Sequence, residues 1–480
     1  MFRTVGDQVS IWESMLPAEV LVLPVELARV DALLDDPAFF APFVRLFDPR
    51  IGRPSTPMET YLRLMFLKFR YRLGYESLCR EVADSIAWRR FCRIPLDGVV
   101  PHPTTLMKLT TRCGSPAVDG LNEALLAKAA EAKLLRTTRL RADTTVVPAN
   151  VSFPTDAGLL AKAVRRIAAT GRRIQAAGGA TRTRVRDRSR SAGKRAHDLG
   201  SKLRLRTAAG KDAARAAVYR VTGELARLAE AAAKDAERLL SNSKQALRRA
   251  RSRAAQLAAC GVCDAAAGRR RGRLARAVHD LAELLDATRQ IAAQARQRVA
   301  GVMPEGATRR RVSLHDSDAR PIAKGRLGKP VEFGHKAQVV DNDDGIVLDH
   351  TVEPGNPADA PQLAPAIQRV IRRTTRTPRT VTADRGYGER GVDDALNDLG
   401  VRRVVIPRKG RPNPVRQAEE HRPAFRRTVK WRTECEGRIS TLKRGYGWDR
   451  TRIDGTEGTR IWTGHGVLAH NLVKISALAN

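Results

Sequence analysis

Between residues 157 and 300 the chain is built mainly of Ala, Arg and Leu, and this stretch limits the architecture more than any other. It carries 34 Lys+Arg against 11 Asp+Glu, a net of +23, so under a third of the chain holds most of the formal charge of +36. Leu274, Val278, Leu281, Leu285, Ala292, Ala295 and Val299 fall on an a/d rhythm, and Tyr219 to Leu257 follows it less regularly. Such a stripe needs a second helix to cover it, so a helical hairpin is expected. The Arg/Ser/Gly/Thr-rich piece between Gly178 and Gly210, with Thr181-Arg-Thr-Arg-Val-Arg-Asp-Arg-Ser-Arg190, has little to bury and is expected to be mobile without an anionic partner. The whole reads as a clamp on DNA backbone or, more plainly, as a solvated coiled coil.

The pattern on either side is different. Leu140 to Val147 is a β-branched run that Pro148 ends, and Asp143 sits in its middle. An acid inside an apolar strand costs several kcal/mol unless it is paired, metal-bound or at a strand end. That makes Asp143 a site candidate. After the helical stretch, Val331 to Val340 and Ile346 to Val352 alternate about an Asp/Asn/Gly loop and predict a β-hairpin. A helix over Asn356 to Arg373 follows, then a short strand ending in Asp384, a helix from Glu389 to Leu399, and a strand over Val401 to Ile406. Pro407 to His421 reads as a basic loop, and Gly464 to Leu478 as a terminal amphipathic helix.

The first 135 residues read as mainly helical, with Gly52-Arg-Pro-Ser-Thr-Pro57 as turn and cap before a helix from Met58 to Tyr71. His102-Pro-Thr-Thr caps a helix running to about Arg112. Short helices with arginines at 70, 72, 80, 89 and 90 suit a helix-turn-helix-like DNA reader, or a helical subdomain without groove contact. So strong a basic, Arg-rich balance points to nucleic acid, because phosphate neutralisation releases counterions and Arg forks onto phosphate oxygens. No apolar run reaches membrane-span length, and the start of the chain does not read as a signal peptide. Six cysteines in 480 residues make no disulfide framework, and Cys260-Gly-Val-Cys263 has no second pair to complete a zinc site. The chain is expected to be intracellular and soluble.

The remaining signal is Trp431-Arg-Thr-Glu-Cys-Glu-Gly-Arg-Ile-Ser-Thr-Leu-Lys-Arg-Gly-Tyr446. On a helix, Arg432, Glu436, Ile439 and Lys443 share one face. A hard carboxylate oxygen between two cations suits a divalent metal working against a phosphate backbone. A solvated helix with i,i+4 charge pairs would read the same. Glu434 is the rival acid, about 200° round the helix from Glu436. Asp156 reads as a helix cap, Asp316 and Asp318 as turn residues, and His335 and Lys336 as candidate phosphate contacts.

With the helical stretch removed, the order is strand with Asp143, hairpin, helix, strand ending in Asp384, helix, strand, helix with Glu436. That is the order of a ribonuclease H-like α/β fold, a mixed sheet in which the first strand lies beside the one ending in Asp384. The chain resembles the bacterial insertion-sequence DDE transposases, in an ISNCY-like group with an InsH-type N-terminal domain and a long insertion after the first Asp. The resemblance rests on Gly52–Pro57, Ala142-Asp-Thr-Thr-Val-Val147, Pro154-Thr-Asp156, Phe333-Gly-His-Lys336, Ala383-Asp-Arg-Gly-Tyr-Gly388, Glu436–Lys443 and Leu468-Ala-His-Asn-Leu472. Where the family carries Tyr-x2-Arg-x3-Glu-x6-Lys, Arg432, Glu436 and Lys443 match and Val429 replaces the Tyr.

The resemblance implies Asp143, Asp384 and Glu436 as catalytic, metal-binding acids for two Mg²⁺ or Mn²⁺ ions, with Arg432, Lys443, His335 and Lys336 toward DNA phosphate. It implies cleavage at terminal inverted repeats of double-stranded DNA and joining of 3′-OH ends to target DNA. No membrane partner is implied, and a homodimer or higher assembly forms on DNA. The expected domains are an all-α N-terminal domain at 1–135 for DNA-end binding, catalytic parts at 136–156 and 306–480, and the insertion at 157–305. An inactive or architectural DNA-binding descendant, or a nuclease of the same fold that does not join, are the alternatives.

Overall fold

A computed structural model of the chain describes residues 1–5, 11–48, 50–52, 54–151, 154–202, 208–261, 264–302, 310–324 and 330–479. Arg53 of the early turn, Cys263 of the Cys-x2-Cys pair and residues 203–207 of the basic stretch lie outside them. In order, the chain forms α1 (Ile11–Ser14), α2 (Val25–Leu34), α3 (Ala41–Val44), α4 (Met58–Arg70), α5 (Tyr75–Asp84), α6 (Ile86–Phe91), α7 (Pro103–Glu131) and β1 (Arg139–Pro148). Then come α8 (Asp156–Ala176), α9 (Ser189–Lys202), α10 (Ala208–Ala259), α11 (Ala265–Val299), β2 (Arg320–Ala323), β3 (Val331–Asp341) and β4 (Val347–Glu353). The last part is α12 (Ala360–Thr374), β5 (Thr380–Ala383), α13 (Arg390–Asp398), β6 (Arg403–Val405), α14 (Pro414–His421), α15 (Pro423–Arg432), α16 (Glu434–Gly445) and α17 (Gly455–Leu478). The chain divides into two compact units, one of Met1–Asn150 with Gly334–Asn480 and one of Val151–Phe333. Among the described residues no helix is long and apolar enough to cross a membrane.

The sheet runs β2-β3-β1-β5-β6, with β4 also paired to β3. β3 pairs antiparallel with β1 and β4, and β1-β5-β6 run parallel. The mixed α/β fold is therefore as expected, with β1 in the middle. In the first unit the N-terminal helices and the sheet share one core, in which Phe39, Tyr61, Phe69, Leu121, Leu140, Val339, Trp448 and Leu472 are all buried. Every residue of α4 from Met58 to Phe69 is buried, so this helix offers no free face to a groove. The arginines near it are tied inward: Arg70 pairs with Glu26, Arg72 with Asp449, and Arg89 donates to four backbone carbonyls.

The helix expected to end near Arg112 runs on to Glu131, bent at Gly114 (φ 70°) just before Pro116. Its restart is capped from α17, where the Glu457 carboxylate accepts from Ser115 N–H at 2.7 Å and Ser115 Oγ–H at 2.8 Å. Along α17, Asn471 grips the hairpin through both polar groups of Val347, at 3.0 and 2.8 Å, and His470 Nε2 meets the Gly345 carbonyl at 3.0 Å. This is the physical content of Leu468-Ala-His-Asn-Leu472.

The second unit is helical, as the heptad rhythm predicts. Its core is Leu160, Val164, Ile167, Leu225, Leu239, Leu281, Leu285 and Ile291 with many alanines and, among the described residues, no aromatic ring. Three readings are corrected. The piece expected to be mobile contains α9, held by buried Ala192 and Leu199 and by the ion pairs Arg188–Asp235 (2.6 Å) and Arg195–Glu224 (2.9 Å). The basic loop at 407–421 contains α14, whose N-terminus Asn413 caps by accepting from Arg416 N–H at 2.8 Å. Asp156 is not the cap of α8: Thr155 accepts from Gly158 N–H at 3.1 Å, while Asp156 pairs with Arg298 and Arg310.

Candidate active site

Asp143 lies on the central strand opposite Val339, and only 8% of its surface is exposed. Ala142 stands beside Ala383 in the parallel β1–β5 register, so Asp143, midway along β1, lies beside the point where β5 ends and the chain reaches Asp384. Asp384 ends β5 and caps a single 3₁₀ turn, Arg385–Tyr387, accepting from Gly386 N–H at 2.8 Å. The α12 crossover from β4 sets β5 alongside β1 in parallel, and this brings the carboxylate that follows β5 beside the one on the central strand.

The third acid arrives on a helix anchored to the sheet through a buried ion network. Arg141, 1% exposed, forks onto Asp341 at 2.8 and 3.0 Å across the β1–β3 pair. It also reaches Glu434 Oε2 at 2.7 Å and the Trp431 carbonyl at 3.2 Å. Arg438 adds a 3.4 Å contact to Asp341 from the next turn of α16. Glu434, the rival acid, is thereby engaged with Arg141, on the other side of the helix from Glu436.

The stretch read as one helix is broken at Thr433. Its N–H and hydroxyl both donate to the Lys430 carbonyl, at 3.1 and 2.7 Å, tightening the backbone into a turn between α15 and α16. Arg432 and Glu436 still face each other across the break, with Nη2 3.2 Å from Oε1. The other Arg432 nitrogen, Nη1, donates to Asp143 Oδ2 at 3.2 Å. One guanidinium thus bridges a carboxylate on the strand and one on the helix.

The electrostatics fit that crowding. Burial pushes the Asp143 carboxyl up to about 6; Arg432 opposes the rise, and Asp384 and then Glu436 add to it. Asp384 is also raised, first by burial and then by Asp359. Asp359 was not singled out from sequence. A helix start at Asn356 puts this residue inside the first turn as an ordinary acid, whereas α12 begins at Ala360 and leaves Asp359 at its cap position. There its carboxylate flanks Gly386 with that of Asp384: a Cβ on Gly386 would stand 2.9 Å from Asp384 Oδ1 and 3.2 Å from Asp359 Oδ2.

Lys336 is drawn to this side but is engaged already, 2.7 Å from Asp359 Oδ1 and 2.7 Å from the Pro357 carbonyl. His335 is fully buried on β3 beside Val147. Both residues expected to meet phosphate are thus buried in the chain alone. Lys443 lies in the last turn of α16, half-buried, seven residues beyond Glu436. Asp316 accepts from Asp318 N–H at 3.0 Å and Ala319 N–H at 2.9 Å, closing its own turn.

The donor set suits a hard divalent ion: Asp143 is buried and Asp384 half-buried, both with raised proton affinity, Glu436 is exposed beside them, and a side-chain cation stands between Asp143 and Glu436. Among the described residues, though, no three His, Cys, Asp or Glu side chains are grouped closely enough to hold one ion. Arg432 joins two of the acids, Asp143 and Glu436.

Two family models match the chain, one described as a transposase domain over residues 13–112 and one as a transposase DDE domain over residues 307–472. Together they span more than half of its length. No curated protein and no solved structure matches it.

Proposed function

The chain belongs to the insertion-sequence DDE transposases, and from that premise we propose that Asp143, Asp384 and Glu436 are its catalytic acids, cutting at the ends of a mobile DNA element and joining the freed 3′-OH ends to target DNA. Assignment to the ISNCY-like group within the family rests on the sequence resemblance. The observation that carries the proposal is the meeting of Asp143 and Asp384 on neighbouring parallel strands, with Glu436 linked back to Asp143 through Arg432.

The three acids are the residues that would hold Mg²⁺ or Mn²⁺, as a pair of ions, with Asp143 and Asp384 shared between them. Bound there, the ions would activate the attacking oxygen and stabilise the leaving one in phosphodiester displacement. The chain's own groups do the rest. The Arg141–Asp341–Glu434 network holds α16 against the sheet, so that Glu436 is presented at a fixed height above the strand ends. Arg432 neutralises the Asp143–Glu436 pair, and its planar fork is shaped to pass to a non-bridging phosphate oxygen when DNA arrives. Lys443 supplies a second cation two turns along the same helix. The partners are the element's terminal inverted repeats and target duplex, and pairing two ends calls for at least a dimer on DNA.

A second reading has one observation in its favour. Because Arg432 lies between two of the acids, the chain also suits a DNA-binding descendant that has lost catalysis. Incubating pre-cut element ends with a plasmid and Mg²⁺ separates the two. The transposase joins ends to plasmid and the Asp384→Asn variant does not, while both bind ends. Nicking without joining means a nuclease, and no reaction from the unaltered chain means the architectural reading.

A further inference from the structure

Ion pairs in the helical unit are concentrated at its root. Arg173 meets Asp280 at 2.8 Å, Arg289 lies against Glu237 and Asp286, Arg296 against Glu230, and Arg298 and Arg310 converge on Asp156. Even the dense run at 181–190 is partly drawn inward, through Arg172–Asp187 and Arg188–Asp235.

The far end of the α10–α11 hairpin differs. From Arg248 to Arg273 there are eight arginines, at 248, 249, 251, 253, 269, 270, 271 and 273, and one acid, Asp264. That acid caps α11, accepting from Ala266 N–H at 2.8 Å and Ala267 N–H at 3.0 Å. Among the described residues none of the eight arginines has an ion-pair partner.

This end also lies beyond the hydrophobic core. The last buried residue on α10 is Leu247 and the first on α11 is Leu274. From Arg248 to the end of α10 is 12 residues, about 18 Å of helix. The half-buried positions there are chiefly small, Ala250, Ala254, Ala267, Gly268 and Gly272, which leaves the arginines outside. Arg249 and Arg253, like Arg269 and Arg273, repeat at i,i+4, a spacing at which like charges repel and weaken a helix. With no buried side chain beneath them to offset it, that repulsion is an arrangement an anionic partner would relieve.

We infer that the tip of the α10–α11 hairpin is a duplex-DNA backbone grip, independent of sequence and separate from the acids that carry the chemistry. Rigid helices present guanidinium groups with no acceptor of their own, and phosphate oxygens supply two acceptors to each fork. The paired arginines nearer the root contribute less, because each would first have to leave a carboxylate. The inference deepens the transposase reading and rests on it for the identity of the anion.

The test uses the full chain, a random-sequence duplex of about 40 base pairs, and fluorescence anisotropy from about 50 to about 300 mM KCl. One variant carries Arg→Gln at 248, 249, 251, 253, 269, 270 and 273; a control carries Arg→Gln at 172, 173, 289 and 296. Gln keeps helix propensity, and circular dichroism checks that helix content is unchanged. The tip variant should bind more than tenfold more weakly at the lowest salt. Its plot of log K against log salt should be shallower by about 3 or more, at about 0.9 for each phosphate no longer neutralised. The control should keep the slope of the unaltered chain. A tip variant with an unchanged slope overturns the inference, and does so even if that protein still joins DNA ends. A flattened slope in a chain that joins nothing supports the tip grip and removes the transposase reading instead.

Discussion

In the sheet-bearing unit Arg63, Arg141 and Asp349 are almost withdrawn from solvent, and each is held by two partners: Asp31 and Asp35, Asp341 and Glu434, Arg369 and Arg373. In the helical unit, pairs such as Arg289–Glu237 and Arg296–Glu230 stand half in water. The cores differ in the same sense. One interlocks Tyr61, Phe69, Trp448 and Tyr387; the other stacks Leu, Val, Ile and Ala on a repeat. A buried charge with dedicated partners tolerates one arrangement and is costly in any other, so it suits a unit that must hold carboxylates in register. An exposed pair contributes little and fixes little, which leaves helix surfaces free to carry unbalanced charge.

The largest effect expected from this contrast is at Arg141. Arg141→Met leaves Asp341, 0% exposed, with only the 3.4 Å contact of Arg438 and frees Glu434, and should cost about 3–5 kcal/mol in urea denaturation. A loss below about 1 kcal/mol would mean the network does not hold the helix to the sheet.

A middle-sized effect concerns protons. The Asp143 carboxyl, raised to about 6, is ionised above that pH and protonated below it. Mn²⁺ affinity measured by calorimetry should therefore be nearly flat at higher pH and fall by about tenfold per pH unit below 6, as protons compete for the ligand. Affinity unchanged down to pH 5 would remove Asp143 from the site. Among the described residues of the helical unit no acid is raised in this way: Asp187, Glu224 and Asp264 are held below their ordinary values by hydrogen bonds from Ser189, Arg195 and the backbone N–H of Ala267, in that order.

The smallest effect is at Arg289. Arg289→Gln removes two solvent-exposed pairs and should change stability by no more than about 0.5 kcal/mol. A loss comparable to that at Arg141 would erase the distinction between the units.

Much of this was legible from residue order. An acid inside a β-branched run marked Asp143, because few other reasons keep a carboxylate there. Helix phase separated Glu436 from Glu434, and the structure shows Glu434 engaged with Arg141 across the opposite side. The heptad rhythm of Leu274 to Val299 predicted the hairpin. What escaped depends on contacts between distant residues. Neither Arg141 nor Asp341 reveals from its neighbours that the two strands pair in register. Asp359 was hidden by a helix start placed four residues early. The burial of His335 and Lys336 was not legible because a strand's alternation tells which residues share a face, not which face is covered. Arg432 was expected to face phosphate, and its second role, bridging Asp143 to Glu436, follows only from the strand and helix being brought together.

The most direct test is strand cleavage on a plasmid carrying a pair of the element's terminal repeats, in Mg²⁺, comparing the unaltered chain with Asp384→Asn. The account predicts cuts at the repeats by the former. The variant should lose about a thousandfold or more in rate, several kcal/mol of transition-state stabilisation, while shifting the repeats on a gel as before. Cleavage by Asp384→Asn within a few-fold of the unaltered chain would contradict it.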